Sequence, residues 1–231
     1  MTSKNSINNC ENCSVKWKNF EHLTSSELQL VSESSFGTAF KPGEIIVKQG
    51  SPSSNALFIT AGMAKAFIEG ISGKNFLMSI VLPGRLMVGP GAYVNSRYSY
   101  TVTALTSVCA CFINFDIFRN LVRTNGAFAE SLLEDISAKA FNIHKKLIDI
   151  TQKKMPGRMA DALFYFADEI FKSDEFEMLL TRQELGEMTN MSKEGVVRIL
   201  NSMEESKIIY SDSSRIKILD REKLRRISEK G

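Results

Sequence analysis

Short apolar runs that end at turn signals begin near residue 38. Residues 45–47 lead into Gln49-Gly50-Ser51-Pro52, residues 56–60 into Ala61-Gly62, residues 63–68 into Gly70-Ile71-Ser72-Gly73 and residues 76–82 into Pro83-Gly84, with further runs at 100–104 and 108–113. Strand-length runs at this spacing, punctuated by Gly and Pro, predict an antiparallel roll or jelly roll. Beyond it the period lengthens. Residues 116–121 predict a short helix, and from residue 126 apolar positions recur at Phe128, Leu132, Ile136, Ala140, Ile143, Leu147 and Ile150. From Ile136 the steps alternate between four and three, as in the heptad seam of a coiled coil. A helix over residues 126–152 would be roughly 40 Å long at about 1.5 Å per residue. One of its sides is expected to face the roll. The other, through Ile136, Ala140, Ile143, Leu147 and Ile150, is expected to face a second copy of the chain in a homodimer.

Pro156 and Gly157 mark the next boundary, because Pro ends one helix and opens another. Residues 158–171 then predict a helix with Met159, Ala162, Leu163, Phe166 and Ile170 turned inward. Thr181 followed by Glu184 is a capping box. The helix it starts carries Leu185 and Met188 inward and stops at Thr189-Asn190-Met191, where Asn190 suits a left-handed backbone. Ser192 caps a second helix with a buried stripe at Val196, Ile199, Leu200 and Met203. Residues 208–210, a Ser211-Asp212-Ser213-Ser214 turn and residues 216–219 predict a β-hairpin, and Asp220 caps a last helix through Ile227. The pattern divides an α+β chain into an antiparallel β-roll over 1–125, a helix over 126–152 expected to serve dimerisation and a winged helix-turn-helix over 153–231.

Opposite the buried stripe of the second short helix stand Lys193, Glu194, Val197, Arg198 and Asn201. Arg bonds guanine in a bidentate fork and Glu accepts from the cytosine amino group, so such a face suits the DNA major groove. Spacing alone leaves two readings open, a recognition helix and an ordinary solvated amphipathic helix. The net charge of +3 from 29 basic and 26 acidic residues does not choose between them. The location of the charge matters more, and Lys207, Arg215, Lys217, Arg221, Lys223, Arg225 and Arg226 crowd the C-terminal part.

Thr181-Arg182-Gln183-Glu184-Leu185-Gly186, Met191-Ser192-Lys193-Glu194 and Val196-Val197-Arg198-Ile199-Leu200 together resemble the signature of the Crp/Fnr family of bacterial transcription regulators. The resemblance implies that Glu194 and Arg198 read bases and that Lys193 contacts DNA. Arg182, Gln183, Ser192, Val197 and Asn201 complete the implied DNA-facing set. It also implies a palindromic operator with TGA-like half-sites, a homodimer, and RNA polymerase as a protein partner. Two positions depart from the pattern. Asn190 stands where Gly is usual, and Gly195 replaces a common Thr, removing a hydroxyl and about 1 kcal/mol of helix propensity. In the roll, Lys41-Pro42-Gly43-Glu44, Ile59-Thr60-Ala61-Gly62 and Leu82-Pro83-Gly84 resemble the turn landmarks of the family's effector domain.

The family's cyclic-nucleotide binders use a Gly-Glu-Leu step and an Arg-Ser pair. Here Gly89-Pro90-Gly91 aligns with the first and Tyr98-Ser99 with the second, leaving Arg97 one residue early. Without a charged fork the cyclic phosphate loses a charge-assisted pair, so cAMP is not the expected effector. The effector is left as an unidentified small molecule or redox signal, with an apolar pocket expected near Gly89, Gly91, Arg97, Tyr98, Ser99 and the long helix. The four cysteines offer one redox route. Cys10-Glu11-Asn12-Cys13-Ser14 and Cys111-Phe112-Ile113-Asn114-Phe115 resemble the cluster-ligand segments of the fumarate-nitrate regulator, and a [4Fe–4S] cluster would take Cys10, Cys13, Cys109 and Cys111. Lys16, Trp17 and Phe20 occupy the region of the third N-terminal ligand. The expectation is therefore no metal, with Cys109 and Cys111 as small core residues and a cluster or zinc as the alternatives.

No apolar run approaches the roughly 20 residues of a membrane span, and the polar residues 1–12 lack the apolar stretch of a signal peptide. The cytoplasm is the expected compartment. With only two histidines, His22 and His144, and no nucleophile elbow, zincin or phosphate-loop motif, enzymatic activity is not expected. The sequence thus predicts a dimeric DNA-binding regulator. A small-molecule-binding module and a roll enzyme are the rival readings.

Overall fold

In the computed structural model, which describes residues 15–87 and 91–231, the apolar runs of the N-terminal half become two antiparallel sheets. The strands are β1 (Ser35–Phe40), β2 (Ile45–Val47), β3 (Asn55–Ala61), β4 (Ala64–Glu69), β5 (Asn75–Val81), β6 (Leu86–Met87), β7 (Thr101–Ala104) and β8 (Val108–Asn114). One sheet has the order β1-β8-β3-β6 and the other β2-β7-β4-β5. Neighbours in sequence are seldom neighbours in the sheet, as in a jelly roll. Gly62 closes the β3–β4 turn at φ 78°, with Ser107 O 2.1 Å from where a Cβ would sit, so a side chain there clashes.

Helices cover the first sheet: α1 (Ser25–Glu33), the short α2 (Gly91–Val94), α3 (Phe115–Thr124) and the start of α4 (Gly126–Gln152). Trp17, Phe20, Phe118 and Phe128 form the aromatic centre of this layer, against Phe58, Cys111 and Ile113 of the sheet. Phe128 and Leu132 are the α4 residues buried in that core. The chain divides into two compact units: residues up to Glu69 with Ser79–Ala140, and Gly70–Met78 with Phe141–Gly231.

In the second unit, α5 (Met155–Phe164) starts with Pro156 in its first turn and passes into a wider π-helical turn, Tyr165–Phe171, that stops at left-handed Lys172. Met159, Ala162, Leu163 and Phe166 are buried as the periodicity requires, and Ile170 is half-buried. α6 (Arg182–Thr189) and α7 (Lys193–Glu205) follow, then β10 (Ile209–Asp212), β11 (Arg215–Ile218) and α8 (Arg221–Lys230). The hairpin turn is tighter than the predicted four-residue turn. Asp212 pairs with Arg215, so Ser211 and Asp212 belong to β10 and only Ser213 and Ser214 turn, Ser213 at φ 52°. A third strand, β9 (Glu175–Glu177), joins the hairpin in the order β10-β11-β9.

Candidate nucleic-acid interface

Local chemistry sets the geometry of α6 and α7. Thr181 N donates to Glu184 Oε2 at 2.7 Å, and Glu184 N donates to Thr181 Oγ1 at 3.2 Å, closing the capping box. Asn190 ends α6 at φ 53°, ψ 54°. Met191 N then donates to Gly186 O at 2.9 Å. A Cβ on Gly186 would lie 2.5 Å from Met191 O, so the tight turn requires glycine there. Ser192 Oγ accepts from Gly195 N at 3.1 Å and starts α7.

α7 buries Val196, Leu200 and Met203, and Ile199 is half-buried. Lys193, Glu194, Val197, Arg198 and Asn201 are exposed and line an open groove that continues to Ser202 and Glu205. Val197 is 38% exposed, an apolar position within a polar face. The Glu194 carboxyl is held below its usual range, first by its own backbone N–H, then by the Ser192 hydroxyl, so it is ionised at neutral pH. Gly195 is buried, and a Cβ there would meet Met155 Cε at 3.3 Å and Ser192 Oγ at 3.4 Å. The missing Thr is thus matched by close packing of Met155.

Many C-terminal cations are engaged within the chain. Arg215 and Lys217 pair with Glu175, Arg221 with Asp168 and Asp174, Lys223 with Asp220, and Arg225 with Glu222. Among the described residues, Lys193 and Arg198 enter no such ion pair, and neither do Arg182, Lys207 and Arg226; of these five, Lys193 and Arg198 lie on the exposed face of α7. Gln183 is exposed in the first turn of α6 and Ser192 is exposed at the cap. Arg182 is half-buried, and its Nη2 donates to Ser213 O at 3.0 Å.

The long helix inverts the usual arrangement of a surface helix. Leu133, Ile136, Ile143 and Leu147 are 63%, 52%, 57% and 59% exposed, and Ala140 is exposed between them. Ile150 is half-buried. Leu133 extends the seam by one step, three residues before Ile136, a position hidden in the sequence because its neighbour Leu132 carries the periodicity into the core. Two lysines seven residues apart turn away from this stripe. Lys139 Nζ donates to Leu86 O at 3.3 Å, and Lys146 Nζ donates to Leu77 O at 3.1 Å and Met78 O at 2.8 Å. Lys146 also lies over the Phe76 ring at 4.9 Å, and burial pushes its ammonium down to about 8.

In the roll, Arg97 is exposed and its Nη1 donates to Gly50 O at 2.5 Å. Tyr98 is buried with its hydroxyl donating to Asn55 O at 2.7 Å, and Ser99 is half-buried. Gly91 is buried in α2, where a Cβ would lie 2.0 Å from Arg97 O. Gly89 lies outside the described residues. Tyr100, which no sequence motif marks, is buried with a hydroxyl that has no hydrogen-bond partner among the described residues. Burial raises its phenol well above the usual range.

Cys109 is half-buried and Cys111 is buried, two apart on β8. Cys10 and Cys13 lie outside the described residues. Among the described residues no group of three or more His, Cys, Asp or Glu side chains converges as a metal site. Trp17, in the region where a third N-terminal ligand is implied, fills the aromatic core against Phe118 and Phe128. Among the described residues, no helix is long and apolar enough to cross a membrane.

Comparison with known proteins covers both halves of the chain. Residues 157–227 match the Crp-like helix-turn-helix domain, and residues 38–125 match the cyclic nucleotide-binding domain. The transcriptional activator protein anr of Pseudomonas aeruginosa is 22% identical over 188 residues, covering 80% of this chain and 77% of that protein. The cAMP-activated global transcriptional regulator CRP of Salmonella typhimurium is 24% identical over 175 residues, covering 74% of this chain and 83% of that protein. The fold is shared with FixK2 from Bradyrhizobium japonicum, at TM-score 0.75 and 14% identity over 84% of this chain and 96% of that one. It is also shared with a Crp/Fnr-family regulator from Eubacterium rectale, at TM-score 0.77 and 15% identity over 92% and 98%.

Proposed function

The chain belongs to the Crp/Fnr family of DNA-binding transcription regulators, and on that premise we propose that it binds a palindromic operator as a homodimer through α7, under an effector other than cAMP. The observation that carries this reading is the contrast of charges. Arg215, Lys217 and Arg221 are engaged by acidic neighbours, while Lys193 and Arg198 stand unpaired beside an ionised Glu194 on one exposed helix face. Arg198 takes a guanine edge, Glu194 a cytosine amino group, Val197 and Asn201 the neighbouring base edges, and Lys193 a phosphate. Gln183 and the exposed cap at Ser192 face the backbone.

The dimer rests on α4. Its lysines at 139 and 146 donate to backbone carbonyls of the chain's own strands, and its apolar stripe at Leu133, Ile136, Ala140, Ile143 and Leu147 is left to solvent. A second copy covers such a stripe by a two-fold seam, and two-fold symmetry matches a palindrome. The roll transmits a signal other than cAMP, because Arg97 is turned to Gly50 and the Tyr98 hydroxyl to Asn55. Cys109 and Cys111 serve as packing residues of β8, and RNA polymerase is the protein partner of the DNA-bound dimer.

Selection from a pool of random duplexes with the full chain tests this function. The enriched site should be two-fold symmetric, with half-site centres about one helical turn apart, roughly 10 bp. A pool that stays unsymmetric, or retention no better than the starting pool, contradicts it.

A further inference from the structure

The wing hairpin is held at one residue by both helices of the motif. Ser211, in β10, donates its backbone N–H to Glu204 Oε1 at 3.2 Å, from the last turn of α7. Its hydroxyl meets Arg182 Nη2 at 3.4 Å, from the first turn of α6. The same Nη2 donates to Ser213 O at 3.0 Å, at the left-handed turn residue. Arg182 is half-buried in this position. The wing's own cations, Arg215 and Lys217, are engaged by Glu175, and Asp212 is exposed beside the turn. A hairpin with this charge offers little to a phosphate, so its use depends on where it is held.

Resting on the reading that α7 faces DNA, we infer that Arg182 and Glu204 are positioning residues: they lock the wing to the helix-turn-helix, and Arg182 acts through that lock rather than by binding a phosphate. Glu204 fixes the wing to the reading helix, and Arg182 fixes it to the helix that sets the turn. Loss of either frees Ser211 on one side and lets the hairpin swing relative to α7. An Arg whose role is electrostatic acts at a distance and tolerates Lys. An Arg whose single nitrogen serves a carbonyl and a hydroxyl acts by geometry, and Lys does not reproduce it.

The test measures affinity for the selected operator against salt concentration, with hydroxyl-radical footprints, for the full-length wild type, Arg182→Ala, Arg182→Lys, Glu204→Ala and Glu204→Gln. Arg182→Ala should bind about tenfold more weakly, the scale of a charge-assisted hydrogen bond, with an unchanged salt slope and protection lost only where the wing lies. Arg182→Lys should not restore binding. Glu204→Ala should give the same footprint, while Glu204→Gln, whose amide oxygen still accepts from Ser211, should match wild type. The double Ala variant should be less weak than the product of the singles, because both break one lock. A fall of about one in the salt slope of Arg182→Ala, rescue by Lys, or wild-type affinity in either Ala variant overturns the inference. Should Arg182→Ala fail to fold by circular dichroism, the Glu204 pair decides alone. A wild type with no operator preference refutes the DNA reading instead.

Discussion

Tyr100 places a hydroxyl inside the roll with no partner among the described residues, and a buried unpaired polar group costs about 1–3 kcal/mol. Tyr100→Phe should therefore raise stability by about 1 kcal/mol in the purified protein, read as a higher urea midpoint. A lower midpoint would mean that the hydroxyl has a partner, such as a bound water or an effector. At this scale the sequence was legible wherever a side chain acts on its own neighbours. Thr181, Asn190, Ser192 and Asp220 cap or end their helices within three or four residues of themselves, and all four do so in the structure. Tyr100, Lys146 and Arg182 were not legible in this way. Their partners, or lack of them, lie on other elements, and no local pattern announces a lysine that donates to a distant strand's carbonyls.

Among the elements, the turn between α6 and α7 has no room for a side chain at Gly186, where Met191 O would meet a Cβ at 2.5 Å. Gly186→Ala should cost about 1–3 kcal/mol through the shift this clash forces, and it should weaken operator binding by disturbing the angle of α7. Unchanged melting and affinity would show that the turn adapts freely. Lys146 gives α4 a pH signature. Its folded value of about 8 lies below the ordinary 10.5, so between these values the unfolded chain holds the proton that the folded chain releases. Stability attributable to this residue should rise with pH across that window, and the urea midpoint of wild type minus that of Lys146→Met should increase from pH 8 to 10. A difference that stays flat contradicts the assignment. Long periodic elements were the readable ones: α4 has the ends the sequence predicted, Gly126–Gln152. The three-residue β9 escaped because Glu175-Phe176-Glu177 becomes a strand only when β11 pairs with it. β1 begins three residues before the strand pattern near residue 38, because Ser35-Phe36-Gly37 draws its extended form from Cys111–Ile113 opposite.

For the whole molecule, the exposed stripe of α4 predicts assembly. Leu147→Glu should place an unpaired charge in the dimer seam, giving a folded monomer by light scattering that binds the operator poorly. A wild type that is monomeric at micromolar concentration counts against the seam. The effector was the least legible feature, because the sequence and the roll both speak mainly of what is absent from the cyclic-nucleotide pattern, with Arg97 turned to Gly50. The exposed face of α7, proposed to read DNA, was the most legible surface, since Lys193, Glu194, Val197, Arg198 and Asn201 lie on one helix at fixed spacing and are all exposed. Equilibrium binding of Arg198→Ala to the selected operator and to random duplex, set beside wild type, tests that face most directly. Arg198→Ala should lose about 1–3 kcal/mol on the operator, roughly 5- to 150-fold, with random-duplex affinity falling much less. Equal losses on both duplexes, or none on the operator, would contradict it.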